Sequence, residues 1–275
     1  MNPLMRVPVL RDLLLTGYRT ILGLREIRKS VGSVVKWIFT SRETTNYTYP
    51  LTAANMQYLA CFIADITNVS VAEVTAYMTE LEQDDDLRQH IGRRIAANPE
   101  SYKADRQIYY GKRLGWYAFV RILHPKIVVE TGVDKGLGSC VLTAALRRNT
   151  AEGHPGQYFG TDINPLAGYL LDAPYTENGR ILYGDSIESL NAFKQPIDLF
   201  INDSDHSADY EALEYEAIAS KMSPNGLILG DNCEVTTKLF EFAQATNRRF
   251  LFFREEPAQH WFSGGGIGVA ERKGG

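Results

Sequence analysis

Short apolar runs, each closed by an acidic residue or a glycine, recur through the second half of the chain. Runs of four or five apolar residues predict strands buried on both faces, and the helical pattern of residues 140–146 lies between two of them. The predicted strands cover residues 126–130, 157–162, 180–183, the run before 203, 227–229, 250–253 and 267–270. This alternation predicts an α/β fold with an open sheet.

Acidic residues follow two of these strands at the point where each strand ends. Asp203 and Asp205 follow one strand, and Asp231 and Asn232 follow the next. The carboxyl ends of strands in open α/β sheets meet at one crevice, and crowded carboxylates repel one another unless a cation or shared protons intervene. Oxygen ligands favour Mg²⁺ or Mn²⁺. The alternative is that Asp203 and Asp231 only cap the following helices.

A glycine-rich turn follows the first strand. Gly132, Gly136 and Gly138 let backbone N–H groups and a helix N-terminus approach a polar ligand. Their spacing does not match the G-x-G-x-x-G pattern, which disfavours a nicotinamide or flavin site. The next strand ends in Asp162, a position that holds ribose hydroxyls in nucleotide-binding sheets.

The motifs at the strand ends, in their order along the chain, resemble those of class I S-adenosylmethionine-dependent methyltransferases. The resemblance covers about residues 106–275 and is greatest to metal-dependent O-methyltransferases, namely the catechol and caffeoyl-coenzyme A enzymes and the bacterial sugar O-methyltransferases. It rests on Glu130-Thr131-Gly132-Val133-Asp134-Lys135-Gly136, Thr161-Asp162, Gly184-Asp185-Ser186, Asp203-Ser204-Asp205-His206 and Gly230-Asp231-Asn232. It implies a Rossmann-like, doubly wound, seven-stranded sheet whose last strand is antiparallel.

The resemblance also implies roles for individual residues. The cofactor S-adenosylmethionine would contact residues of the first three strand ends, with Asp162 on the ribose and Asp185 with Ser186 on the adenine. The full cofactor-binding set is Glu130, Gly132, Gly136, Ser139, Asp162, Asp185 and Ser186. Leu137-Gly138-Ser139 replaces a Tyr-Ser pair common in the family, which puts the contact to the methionyl carboxylate in doubt. Asp203, Asp231 and Asn232 match the family's metal ligands.

His206 occupies the position of a lysine found beside the first metal-binding Asp in some plant enzymes. A hydroxyl attacks the methyl group far better once it is deprotonated, and a metal lowers its pKa while a base removes the proton. His206 is the predicted base because its ordinary pKa lies near neutrality, and Asp205 is the alternative. His206 could instead orient Asp203, and Asp205 could cap the helix that begins near residue 208.

The final strand pair is joined by a loop that contains His260 and Trp261. In class I methyltransferases this connection can overhang the acceptor site. His260 and Trp261 are therefore candidate substrate contacts, and the alternative is an exposed loop or packing in a dimer.

Residues 1–105 form a separate helical region ahead of the methyltransferase domain at 106–275. Segments 7–21 and 31–39 combine apolar and basic residues, and helices are predicted at 52–67 and 71–95. Three interpretations remain: an amphipathic helix on a membrane, a dimerisation arm, or a cover over the cofactor cleft. Packing or dimerisation is favoured because apolar helices most often pack against protein. The Asp84-Asp85-Asp86 run is interpreted as a solvated face.

The composition of the chain limits its expected partners and cellular compartment. The net charge of −4 gives no general attraction to nucleic acid. Cys61, Cys140 and Cys233 are far apart, which predicts a reduced, cytoplasmic chain, and charges near residues 6–12 interrupt a signal peptide. No apolar run reaches the length of a bilayer span. A homodimer is expected.

The predicted reaction is metal-dependent O-methylation of a sugar, glycoside or glycosylated metabolite. This preference rests on the Asp-x-Asp-His sequence at 203–206, which resembles the bacterial sugar enzymes. A catechol or polyphenol would use the same ligands. A third alternative is a diverged, hydroxylase-like member of the fold without methyl transfer.

Overall fold

A computed structural model describes residues 8–272, apart from the side chain of Lys29. The first seven residues of the predicted N-terminal region therefore lie outside the described part. The helices are α1 Pro8–Thr40, α2 Ala53–Thr67, α3 Val71–Glu82, α4 Asp85–Ala97, α5 Arg113–Leu123, α6 Leu137–Ala151, α7 Ser186–Ala192, α8 Ala208–Ile218 and α9 Lys238–Ala245. The strands are β1 Ile127–Thr131, β2 Gln157–Asp162, β3 Gly179–Tyr183, β4 Ile197–Asn202, β5 Met222–Gly230, β6 Arg248–Arg254 and β7 Gly266–Arg272.

One seven-stranded sheet organises the second half of the chain. Its strand order is β3-β2-β1-β4-β5-β7-β6. Strands β1 to β5 pair in parallel, whereas β7 pairs antiparallel with both β5 and β6. The predicted doubly wound sheet with an antiparallel closing strand is confirmed.

The central strands are buried on both faces, as their apolar runs predict. All five residues of β1 are buried, and the side chains on its two faces belong to two separate hydrophobic clusters. Helices α2, α3, α5 and α6 contribute to the larger cluster, whereas α8 and α9 pack on the other face. Burial of apolar area contributes about 25 cal/mol per Å². The strand ends are thereby fixed on a rigid support.

The helix predicted at 71–95 is two helices. The first ends at Glu82, and Asp84 caps the second, because its side chain accepts the Leu87 N–H at 2.9 Å. The Asp84 carboxylate also pairs with Arg148 at 2.8 Å. Its side chain is only 9% exposed. The interpretation of the acidic run as a solvated face is therefore wrong for Asp84.

Helix α1 is exposed along most of its length. Its C-terminal end is attached to the sheet domain, since Lys36 donates to Gln259 at 2.6 Å and the Trp37 ring lies 5.4 Å from that of Trp261. None of the helices among residues 8–272 is long and apolar enough to cross a membrane.

Candidate active site

Two adjoining pockets lie at the carboxyl ends of the parallel strands. The outer pocket has a volume of about 470 Å³ and is lined by residues of the β1, β2, β3 and β4 ends, among them Asp162, Gly184 and Asp185. The inner pocket, of about 260 Å³, is lined by Lys112, Glu130, Asp231 and Asn232, among others. Gly132 and Asp203 line both pockets. A ligand in one pocket would therefore lie next to a ligand in the other.

The glycine turn after β1 forms the floor of the outer pocket. Gly132 has a φ of +80°, and a Cβ at this position would collide with the backbone carbonyl of Asp203. Only glycine combines that backbone angle with so close an approach. Asp162 holds the turn from the other side: its Oδ2 accepts the N–H groups of Val133 at 3.1 Å and Asp134 at 2.9 Å.

The β3 end supplies the opposite wall of the outer pocket. Asp185 is the N-cap of α7 and accepts the Glu188 N–H at 2.9 Å, while its other carboxylate oxygen accepts from the Tyr210 hydroxyl at 2.9 Å. Ser186 lies 2.9 Å from the same hydroxyl. Asp162, Asp185 and Ser186 thus line one pocket, and their role in cofactor binding stays a prediction.

Two other residues of the predicted cofactor set lie behind the turn. Glu130 is 1% exposed and accepts a hydrogen bond from the Tyr158 hydroxyl. Burial raises the pKa of Glu130 to about 7, although the hydrogen bond from Tyr158 opposes this effect. Ser139 is fully buried with its Oγ 2.7 Å from the Tyr158 oxygen. Ser139 therefore supports Glu130 through Tyr158 and does not line either pocket.

Gly136 also supports the turn from behind. It is the N-cap of α6 with a φ of +97°, and a Cβ there would lie 3.0 Å from the Cα of Gly168. Its role in the structure is the close packing of the turn on the loop after β2.

Asp203 and Asp231 meet at the centre of the inner pocket. Both carboxyls lie beside the ammonium of Lys112, which forms an ion pair with Asp231. The side chains of Lys112 and Asp231 are 6% and 2% exposed. An ion pair this deeply buried needs further polar contacts to offset its desolvation. Asn232 provides one, since its Oδ1 lies 3.4 Å from the Lys112 Nζ.

The two carboxyls differ in charge because only one of them contacts the lysine. Burial raises the pKa of Asp203 well above its ordinary value, and the neighbouring charge of Asp231 adds to the increase. Burial alone would raise the pKa of Asp231 as well, but the Lys112 ammonium outweighs it and the net pKa is lowered. Asp231 therefore carries the negative charge and Asp203 holds a proton more readily.

His206 lies at the edge of the same cluster. Its Nε2 is 3.1 Å from the Asn232 amide nitrogen and 3.7 Å from Asp203, and its Nδ1 is 3.6 Å from Glu211. Burial alone would lower the pKa of His206, but contact with Glu211 and the charge of Asp231 outweigh it and raise the net pKa. Asp205 lines the outer pocket and accepts the Ser207 N–H at 2.8 Å. The N-cap of α8 is Ser207, so Asp205 does not cap this helix, and which of the two residues acts as the base stays a prediction.

The sequence did not single out the residues that close the inner pocket. Lys112 and Arg113 come from the start of α5, Tyr47 and Tyr49 from the segment after α1, and Glu255 from the end of β6. The Tyr49 hydroxyl donates to Glu255 at 2.7 Å, and the Arg113 guanidinium lies 5.9 Å from the Tyr47 ring.

One local signal for Lys112 and Arg113 is present in the sequence. Two cations at a helix N-terminus oppose the helix dipole, so their position at the start of α5 requires an anionic partner elsewhere in the fold.

Glu214 is a second buried residue that the strand-end pattern does not indicate. It is fully buried and accepts hydrogen bonds from Thr131 at 3.1 Å and Ser204 at 2.8 Å, and also from Ser186 and Asn202. These partners come from the ends of β1 and β4 and from α7. Glu214 therefore joins the walls of the two pockets from below.

His260 and Trp261 lie on the far side of Tyr49 from the carboxyl pair. The His260 ring is 5.6 Å from that of Tyr49 and 6.3 Å from that of Trp37. His260 lines a third cavity of about 680 Å³, together with Trp37, Asp105 and Tyr109. The predicted substrate contacts are thus separated from the carboxyl pair by one tyrosine.

The predicted metal ligands do not form an open metal site. Donor atoms of Asp203, His206 and Asp231 lie within 4.8 Å of one another, as ligands of one ion would. Asn232 instead directs its oxygen towards Lys112 and its nitrogen towards His206. The ammonium already pairs with Asp231, so a divalent ion would have to displace a buried cation. With Lys112 in this position, the residues do not fit a metal.

A family comparison agrees with the strand-end motifs. Residues 129–233 match the family model of a methyltransferase domain. This range runs from β1 to just past β5 and includes both carboxyls of the inner pocket. A search of curated proteins finds no significant match.

Solved structures share the fold at low sequence identity. An O-methyltransferase from Bacillus cereus in complex with SAH has a TM-score of 0.51 at 15% identity, over 70% of this chain and 92% of that one. A candidate O-methyltransferase from Klebsiella pneumoniae has a TM-score of 0.54 at 14% identity, over 72% and 94%. An O-methyltransferase from Streptomyces achromogenes involved in tomaymycin synthesis, in complex with SAM, has a TM-score of 0.51 at 11% identity, over 70% and 92%.

These findings confirm the resemblance to class I S-adenosylmethionine-dependent methyltransferases. Residues 129–233 match a methyltransferase domain, and the chain shares its fold with these solved O-methyltransferases. The roles of the individual site residues stay predictions.

Proposed function

We propose that this methyltransferase moves a methyl group from S-adenosylmethionine to a hydroxyl oxygen of a sugar, glycoside or glycosylated metabolite. The observation that carries the proposal is the pair of adjoining pockets at the strand ends, which share Gly132 and Asp203. One pocket is suited to a nucleoside, and the other is lined by Asp203 and Asn232, which lie beside His206. Neighbours of the same fold are named as O-methyltransferases and were solved with SAH or SAM.

The outer pocket accommodates the cofactor. Asp162 and Asp185 offer carboxylate oxygens on opposite walls, at positions suited to ribose hydroxyls and to the adenine amino group. The backbone of the Gly132 turn approaches the amino-acid end, where a side chain would block access. In this arrangement the sulfonium lies next to Asp203, at the boundary between the pockets.

The inner pocket prepares the acceptor oxygen. His206 takes the hydroxyl proton as the oxygen attacks the methyl carbon, the S–CH₃ bond breaks, and the products are the methyl ether, S-adenosylhomocysteine and a protonated His206. Alignment of the oxygen with the methyl group depends on the rigid β4 and β5 ends. Asp203 and Asn232 hold the imidazole in place.

Two observations support a sugar acceptor. The Asp-x-Asp-His sequence resembles bacterial sugar O-methyltransferases, and the cavity beside Tyr49 mixes aromatic and polar side chains. Sugars combine an apolar face with many hydroxyls and suit such a lining. The metal dependence predicted from the sequence is not carried into this proposal because Lys112 occupies the centre of the predicted site.

Calorimetric titration of S-adenosylmethionine into the purified protein tests the cofactor assignment. We expect micromolar binding that persists after chelation. Transfer of a labelled methyl group to panels of sugars, glycosides and catechols then tests the acceptor class. Absence of cofactor binding would favour a diverged member of the fold, and turnover of catechols alone would refute the sugar proposal.

A further inference from the structure

Lys112 lies where the sequence predicts a metal ion. Its ammonium pairs with Asp231, lies 3.4 Å from the Asn232 oxygen and is also close enough to Asp203 and Glu255 for their charges to act on it. The residue as a whole is 5% exposed. A single ammonium therefore contacts two of the three predicted metal ligands and lies near the third.

The placement of Lys112 is built into the fold. Gly111 has a φ of +51° and packs so closely on Tyr49 that a Cβ would lie 2.8 Å from its ring. This turn directs Lys112 inward at the start of α5, against the helix dipole. A lysine with no role at this depth would cost stability, because a buried charge is tolerated only with well-placed partners.

We propose that the Lys112 ammonium replaces the metal ion and makes methyl transfer metal-independent. It would stabilise the negative charge that develops on the acceptor oxygen while His206 removes the proton. This inference rests on the proposed function, since it assigns the cation of the same reaction. Electrostatic stabilisation by preorganised groups is usually the largest single contribution to catalysis.

Mn²⁺ binding tests the inference without relying on activity. Calorimetry is run on the cofactor-free wild type, on Lys112→Met and on Lys126→Met, a matched change at an exposed lysine ahead of β1. We expect no saturable site in the wild type or in Lys126→Met, and one Mn²⁺ per chain in Lys112→Met. Saturable Mn²⁺ binding by the wild type, or none by Lys112→Met, would overturn the inference.

Turnover provides the second readout. We expect chelation to leave the wild-type rate unchanged and Lys112→Met to lower kcat by about 10²-fold or more, the usual cost of one group that stabilises developing charge. Loss of wild-type turnover on chelation would contradict the inference. If Lys112→Met does not fold, the double variant Lys112→Met/Asp231→Asn removes both charges and should be EDTA-insensitive, weakly active and folded. S-adenosylmethionine titration distinguishes failure of this inference from failure of the proposed function. A protein that binds the cofactor but needs a metal for turnover contradicts only the inference, whereas a protein that does not bind the cofactor contradicts the proposed function.

Helix α1 carries an independent second inference. At 100° per residue, ten of the fourteen exposed large apolar side chains of α1 lie within a sector of about 140°, and Leu14, Leu15, Tyr18 and Leu22 lie outside it. Their exposed fractions run from 37% at Val34 to 83% at Phe39. The apolar face comprises Val9, Leu13, Ile21, Leu24, Ile27, Val31, Val34, Val35, Ile38 and Phe39.

The opposite side of α1 is basic. The segment 8–40 contains six Lys or Arg residues and two acids, and Arg11, Arg19, Arg25 and Lys36 lie within about 120° of one another on the helix. A second α1 helix packed on the apolar face would leave these basic side chains without anionic partners, whereas an anionic surface would neutralise them. A wide apolar sector opposite a basic one is typical of helices that lie in a membrane interface.

We infer that α1 lies on an anionic membrane surface with its apolar face inserted and its basic side chains near the head groups. The attachment through Lys36 and Trp37 would then hold the sheet domain close to that surface. A second copy of the chain is the competing occupant of the apolar face.

Vesicle sedimentation of the full chain tests whether a membrane or a second copy of the chain covers the apolar face. We expect partition onto phosphatidylcholine vesicles that contain phosphatidylglycerol, weaker partition in high salt, and none onto phosphatidylcholine alone. Ile27→Glu should lower partition at least about tenfold, because it places a charge on the inserted face, and Arg19→Glu roughly fivefold. Tyr58→Glu, a change at an exposed apolar residue of α2, is the matched control and should have no effect.

Two results would overturn the membrane inference. One is the absence of binding to the anionic vesicles. The other is a dimer in sedimentation analysis that Ile27→Glu dissociates, without vesicle binding by the wild type. The second result would assign the apolar face to a second copy of the chain.

Discussion

The two pockets at the strand ends position their carboxylates in different ways. In the outer pocket Asp162 and Asp185 are held by backbone N–H groups of the turn and of α7, and both stay partly accessible. In the inner pocket Asp231 is buried and Asp203 is half-buried, and the charges of Lys112 and Arg113 act on both. Main-chain contacts preserve a carboxylate for hydrogen bonding, whereas buried cations decide which carboxyl is charged. The outer pocket is therefore suited to recognition and the inner pocket to chemistry.

Loss of the base gives the sharpest test of this division. His206→Asn keeps a polar side chain but cannot accept the proton, so we expect kcat to fall by about 10³-fold. Cofactor affinity should change little because His206 does not line the outer pocket. Rapid-quench measurement of the methyl-transfer step, with calorimetry for the cofactor, checks both statements. An equal loss of cofactor binding would mean that the pockets do not act separately.

The buried carboxyl of Glu130 should make the free energy of unfolding depend on pH. Its pKa of about 7 in the folded chain exceeds the ordinary value of 4.5, so between these values the folded state holds a proton that the unfolded state has lost. Its contribution to unfolding free energy therefore falls by about 3 kcal/mol as pH rises across this window. Glu130→Gln should remove that part of the pH dependence in urea titrations.

Glu216→Gln, a change at an exposed carboxylate of α8, is the control for this prediction. It should leave the pH dependence as in the wild type. If Glu130→Gln and Glu216→Gln give the same profile, Glu130 is not titrating in this window.

Asp162 tests the outer pocket. Asp162→Asn keeps one hydrogen-bonding oxygen and removes the charge, so we expect S-adenosylmethionine to bind about 30-fold more weakly, as for the loss of hydrogen bonds to a charged group. At saturating cofactor kcat should stay within about threefold of the wild type. A fall in kcat comparable to that of His206→Asn would contradict the division between the pockets.

A substitution at Trp261 tests whether the acceptor-binding region reaches the loop between β6 and β7. Its ring is 38% exposed and packs on Trp37. We expect Trp261→Ala to raise the acceptor KM about fivefold through lost apolar contact, with cofactor affinity unchanged. Phe240→Ala, at an exposed aromatic residue of α9, is the control. An unchanged KM would exclude Trp261 from the acceptor region.

The sequence predicts the outer pocket better than the inner one for a physical reason. A glycine turn and an acid after an apolar run are local signals, and parallel pairing places them at one edge of the sheet. Lys112, Tyr49 and Glu255 come from three distant segments, and the cations at the start of α5 indicate an anionic partner without indicating which one. Glu214 is also hidden, because an acid on α8 is ordinarily solvated. The metal prediction followed from the carboxylates alone, without the lysine.

The contact between Gly132 and the Asp203 carbonyl has a kinetic consequence. The glycine turn and the backbone of Asp203 are in direct contact, with no side chain between them. A displacement of the turn would therefore displace Asp203 as well. Cofactor binding in the outer pocket would therefore fix the position of Asp203 at the end of β4 before the acceptor binds. We therefore expect ordered addition, with S-adenosylmethionine first and S-adenosylhomocysteine released last. Initial-rate product inhibition should then be competitive between these two molecules.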